Sequence, residues 1–96
     1  MLFAILCTDK PGHLQLRMDT RPTHLAFLTG LGDALKFAGP FLGDDEKPNG
    51  SLVVIDAETL DAAKATAAED PYAKAGLFES VDVKRWTWAI KNPDAA

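Results

Sequence analysis

The apolar residues of this chain fall into short blocks whose spacing changes from block to block. LFAILC (residues 2–7) and LVVI within SLVVIDA (residues 51–57) are continuous apolar runs, short enough for strands and too short for buried helices. Between them, RPTHLAFLTGL (residues 21–31) switches to helical spacing. At about 100° per residue, Phe27, Leu28, Leu31 and Leu35 share one stripe. The pattern predicts a helix over about 21–34, with Thr20 as its N-cap and Pro22 in its first turn, where amides lack intrahelical acceptors. His13 to Asp19 is ambiguous and fits a helical turn leading into that helix.

LKFAGPF (residues 35–41) reads as a strand that bulges or stops at Gly39-Pro40, because proline cannot donate to a ladder. GDDEKPNG (residues 43–50) is a polar turn. Glu58 to Glu69 is alanine-rich and helix-favouring, with Leu60, Ala63 and Ala67 along its inner face. Asp70-Pro71 ends it, since the residue before a proline is pushed out of the helical region. YAKAGL (residues 72–77) fits a short turn closing at Gly76, followed by a strand over about 78–90 and a frayed tail over 91–96.

The order β-α-β-β-α-β predicts an α+β, ferredoxin-like domain over 1–96, a four-stranded antiparallel sheet with both helices on one face. Both alternating sets of side chains are apolar in the first and third strands, and the last strand places Val81 and Val83 on one parity and Trp86, Trp88 and Ile90 on the other. Either a bulge switches the parity or both faces of the sheet are covered, since an apolar face left in water is an aggregation liability. The expected solution is a homodimer in which two sheets close on each other.

Composition narrows the function. With 14 acidic and 10 basic side chains the net charge is -4, and no Lys/Arg stripe follows a phosphate backbone, so nucleic acid is not an expected partner. The N-terminal apolar run has no basic segment before it, and no stretch approaches the roughly 20 apolar residues that span a bilayer, so a cytoplasmic protein without membrane contact is expected. The single cysteine, Cys7, sits in an apolar run with no base beside it and reads as a buried structural thiol. Two histidines and one cysteine offer no pair at metal-ligand spacing, and no glycine-rich phosphate loop is present.

His24 is the candidate that stands out, a titratable ring in the middle of the apolar stripe. It is either a neutral core histidine satisfied by a carbonyl or an acid/base group in a low-dielectric pocket, and a carboxylate partner separates the two. Asp19 and Asp33 lie more than about 130° around the helix from it. Asp70 continues the stripe of Ala63 and Ala67 and points inward. It can cap the turn that begins at Pro71, and it can hold an imidazole N–H; the roles are compatible. Arg21, one turn ahead of His24, can face solvent or clamp a carboxylate-bearing ligand. Gly39 and Pro40 can bulge the strand or leave room for a ligand, and Tyr72 can line the same cavity or pack.

RPTHL, AGP and DPYAKAG, with the LFAILCTDKPG opening, Arg17 and the later Trp86, resemble in order and spacing the YciI family of YCII-related domains across nearly the whole chain. The resemblance implies a ferredoxin-like fold that pairs into a dimeric α/β barrel, similar to muconolactone isomerase and the small cofactor-free monooxygenases. It also implies a His-Asp pair in a cavity, at His24 and Asp70. The expected function is a small enzyme needing no cofactor, a lyase or isomerase moving a proton on a cyclic or phenolic metabolite. Arg21, Gly39, Pro40 and Tyr72 are its candidate substrate contacts. The rival expectations are a module that binds a small molecule without chemistry, and a pure interaction domain.

Overall fold

The computed structural model describes residues 1–94; the last two positions of the expected frayed tail, 95–96, lie outside the described residues. The elements run β1 (Leu2–Asp9), α1 (Leu14–Gly30), β2 (Leu35–Leu42), β3 (Pro48–Asp56), α2 (Leu60–Ala68), α3 (Pro71–Lys74) and β4 (Phe78–Trp86), with a single 3₁₀ turn, Gly32–Ala34, before β2. The strands form one antiparallel sheet in the order β2-β3-β1-β4, the ferredoxin-like arrangement.

Register sorts the sheet into its two faces. Phe3 opposes Ile55, Ile5 opposes Val53 and Cys7 opposes Ser51, so these side chains share the helix-covered face. There Phe3, Ile5, Val53 and Ile55 form one core with Leu28 of α1 and Ala63 and Ala67 of α2. The alanines let α2 approach the sheet closely. Thr59 caps α2 by accepting the Ala62 N–H at 3.0 Å.

Helix α1 starts earlier than expected. It begins at Leu14, so Thr20 is not a cap and Pro22 sits inside the helix. An interior proline removes one ladder hydrogen bond and costs about 3 kcal/mol. The first turns persist because LQLRM is rich in good helix formers and Arg17 is tied to β1 by Asp9. Leu35 belongs to β2, yet it packs on the same core as Leu31.

Strand β2 continues through Gly39-Pro40 to Leu42, and its irregularities fall at Leu35/Phe37 and Phe41/Leu42. Among the described residues it pairs only with β3, and an edge strand tolerates a missing donor. The polar turn is correspondingly tighter than expected, closed by Gly43 N–H to the Lys47 carbonyl at 2.9 Å. Strand β4 stops at Trp86, where its partner β1 runs out at Leu2, and so Trp88 and Ile90 lie beyond the ladder.

The second sheet face is not bare. Phe37 from one edge strand and Trp86 from the other meet over it at 5.6 Å between ring centroids, joined by Trp88. Beneath them Val54 and Ala4 are buried. The rest of the face is less protected, with Leu6 and Leu52 half-buried and Phe41 exposed. Among the described residues no helix is long and apolar enough to cross a membrane.

Candidate active site

Helix α1 and the short α3 bring the candidate pair together. Asp70, at the start of α3, accepts the Tyr72 N–H through Oδ1 at 2.9 Å and so caps that turn. Its carboxylate also faces the ring of His24, with Oδ1 2.9 Å and Oδ2 3.1 Å from Nδ1. Capping and ring-holding thus coexist, though the nearer oxygen, Oδ1, serves both. The pair spans 46 residues of sequence and is buried.

A carboxylate facing Nδ1 fixes that nitrogen as the N–H donor in the neutral ring and leaves the Nε2 lone pair free. Nε2 makes no hydrogen bond among the described residues, and no buried side-chain nitrogen or oxygen lacks a partner, so this atom is reached by solvent although His24 is only 7% exposed. Tyr72 stacks on the imidazole, centroids 4.0 Å apart and planes 17° apart, and restricts its rotation. Asp19 and Asp33 face solvent; the former accepts from Gln15 at 2.8 Å.

The solvent-reached side of His24 opens onto a cavity of about 330 Å³ between α1 and the β2-β3 edge. Arg21, Pro40 and Tyr72 line it with His24. Gly39 borders it with backbone only. Its register partner is Leu52, on the opposite face, whereas Ala38 and Pro40 oppose Val53 and Ser51 and share the cavity's face. A larger depression of about 850 Å³ lies around the Asp9–His13 and Gly43–Gly50 loops, but neither His24 nor Asp70 borders it.

The sequence reading passed over Arg17 as a candidate, together with Asp9 and Ser51. Arg17 is 4% exposed and grips Asp9 through Nε at 2.6 Å and Nη2 at 3.0 Å, while Nη2 also donates to Ser51 Oγ at 2.7 Å. Its guanidinium carbon lies 4.6 Å from the centre of the Tyr72 ring. Burial pulls the guanidinium pKa down, but the hydrogen bonds and charge of Asp9 more than offset this and hold it above its ordinary value. The available signal was spacing: Arg17 precedes His24 by two helical turns and therefore shares its face. Burial raises the Tyr72 hydroxyl above its usual pKa, against the pull of Arg17 and Arg21, and keeps it a neutral donor.

Cys7 lies near this cluster on the helix-covered face. Burial, reinforced by the charge of Asp70, pushes its thiol up to about 12. The thiol therefore stays protonated and inert, as expected of a structural cysteine. Native protein should resist alkylation by iodoacetamide at pH 8, and unfolding in guanidinium should make the thiol reactive; fast labelling of the native fold would contradict this environment. Because the folded pKa is raised, the unfolded chain ionises first, so this contribution to stability is complete below about pH 9 and is lost as pH rises toward 12.

Comparison with known proteins agrees with this architecture. The YCII-related domain family matches residues 1–87 of the chain. A protein named YciI from Escherichia coli O6:H1 is 41% identical over 92 residues, covering 88% of this chain and 94% of that protein. Among solved structures, 5-chloro-2-hydroxyhydroquinone dehydrochlorinase from Burkholderia phenoliruptrix AC1100, in complex with 2,5-dihydroxybenzoquinone, is 40% identical with a TM-score of 0.84, covering 91% of this chain and 94% of that one. SnoaB, a cofactor-independent oxygenase from Streptomyces nogalater, shares the fold at a TM-score of 0.58 and 11% identity, covering 95% of this chain and 96% of its own.

Proposed function

The chain belongs to the family of YCII-related domains, and from that premise we propose that it is a cofactor-independent enzyme of the lyase or isomerase type, in which His24 moves a proton on a small cyclic or phenolic substrate. The observation that carries this reading is the asymmetry of the imidazole, with Nδ1 occupied by Asp70 and Nε2 open to the cavity. A neutral ring so held takes a proton at Nε2, and the adjacent carboxylate stabilises the imidazolium that results. Asp70 acts through His24 and sets its tautomer.

The cavity lies at the small end of ligand sites, which run from about 300 to 1,000 Å³, and suits one ring. Arg21, Pro40 and Tyr72 contact the substrate in this reading, and the backbone at Gly39 borders it. The hydroquinone chemistry named for the 40%-identical dehydrochlorinase fits such a site. Loss of HCl from a chlorinated hydroxyhydroquinone needs two ring hydroxyl protons removed, one of them returned to the chlorine-bearing carbon, and chloride expelled from that carbon. The ring is left as a quinone and no external oxidant is consumed.

Chloride release from 5-chloro-2-hydroxyhydroquinone, with repeated turnovers per protein chain, tests the reading. Tight binding of such rings with no turnover of any of them would instead support a module that only holds a small molecule.

The family fold also supports assembly as a dimeric α/β barrel, with a second copy covering Leu6, Leu52 and Phe41 on the open sheet face. Light scattering at micromolar concentration should give the mass of a dimer. Leu52→Glu should weaken association at least about tenfold, since it removes roughly 1.5–3 kcal/mol of apolar burial and introduces a charge. A wild-type monomer would refute this assembly.

A further inference from the structure

The hydrogen bonds of Arg17 are unevenly distributed. Nε and Nη2 are committed to Asp9 and Ser51, but Nη1 has no partner among the described residues. Among the described residues no buried side-chain nitrogen or oxygen is left unpartnered, so Nη1 is reached by solvent, and Arg17 lines the same cavity as His24. Asp9, which neutralises the guanidinium, does not line that cavity, and neither does Asp70. The acceptors stand behind the donors.

Two further donors point the same way. Ser51 Oγ accepts from Arg17, which leaves its hydroxyl hydrogen free to donate. The Tyr72 hydroxyl makes no hydrogen bond among the described residues and, by the same argument, is reached by solvent. The cavity therefore has a proton acceptor at His24 Nε2, donors at Arg17, Ser51 and Tyr72, and, among the described residues, no carboxylate in its wall.

We infer that Arg17 is an oxyanion-binding residue: its unused Nη1 edge, beside Ser51 and Tyr72, receives a negatively charged oxygen of a flat ring while His24 Nε2 faces the atom that exchanges a proton. The substrate class narrows to ring acids, compounds with an ionised enol or phenol oxygen, over neutral rings of the same shape. Asp9 is a positioning residue that turns the guanidinium so that Nη1 faces the cavity. This inference rests on the cavity being the substrate site, but it concerns charge recognition and not proton transfer.

Calorimetric binding of 2,5-dihydroxybenzoquinone, ionised at neutral pH, against its neutral dimethyl ether separates the two. Wild-type protein should favour the ionised ring. Arg17→Gln should weaken its binding about 10- to 100-fold, the range for a lost hydrogen bond to a charged group, with no more than about a threefold change for the ether. Because Arg17→Gln strands the buried Asp9, the double variant Arg17→Gln/Asp9→Asn removes both charges and should show the same selective loss. His24→Gln should keep the preference for the ionised ring even where turnover is gone, so failure of the base and failure of the anion site are read separately. Equal losses for both probes, unchanged affinity in the charge-free double variant, or no binding of the ionised ring to wild type at millimolar concentration would overturn the assignment.

Discussion

His24→Gln is expected to lower kcat/KM on the proposed ring substrates by about 10²- to 10⁴-fold, the usual contribution of a positioned general acid/base. Glutamine keeps a donor for Asp70 and fills similar space, but its amide cannot accept a proton at neutral pH. The loss should therefore fall on kcat, because the remaining cavity wall still binds the substrate. The cost to stability should be modest, about 0.5–1.5 kcal/mol, for the lost stacking of the imidazole on Tyr72. Undiminished turnover in a folded His24→Gln variant would show that His24 is not the base.

Asp70→Asn should produce a loss of similar order, about 10²- to 10⁴-fold, by a different route. An asparagine carbonyl oxygen can still accept the Tyr72 N–H and cap α3, so the fold should be kept. Its amide N–H then faces the imidazole, which favours an unprotonated Nδ1 and places the ring proton on Nε2. The base is lost because its lone pair is turned away from the substrate. Asp70→Ala should add destabilisation, about 0.5–2 kcal/mol for the missing cap. An asparagine variant as active as wild type, measured with the same substrate, would show that the carboxylate serves only as a cap.

The sheet and much of this site were legible in the sequence because local signals agreed with the global fold. The apolar runs of β1 and β3 need partners on both faces, and Ala63 and Ala67 define an inner stripe that Asp70 continues. Helical spacing alone therefore turns the Asp70 carboxylate inward. Pro22 misled by the same logic, since its residue type signals a first turn, whereas contacts of Arg17 with β1 hold two earlier turns in place. The end of β4 was not legible locally, because it depends on where β1 stops. The cover on the second sheet face was hidden too, since Phe37 and Trp86 lie on opposite edge strands and meet only across the sheet.

Arg17 shows a further limit. A lone arginine on an amphipathic helix reads as solvated, and its burial becomes plausible only once Asp9, from the end of β1, is known to face it. Spacing alone placed it on the face of His24, and pairing decided its environment.

Nitrogen NMR of the His24 ring in ¹⁵N-labelled protein, at a pH where the imidazole is neutral, reads the tautomer on which the proton transfer depends, with and without 2,5-dihydroxybenzoquinone. Nδ1 should be protonated and Nε2 bare, and the Nε2 resonance should move when the ring compound binds. A protonated Nε2 in the free protein, or a His24 ring unaffected by a ligand that saturates the cavity, would contradict the role proposed for His24.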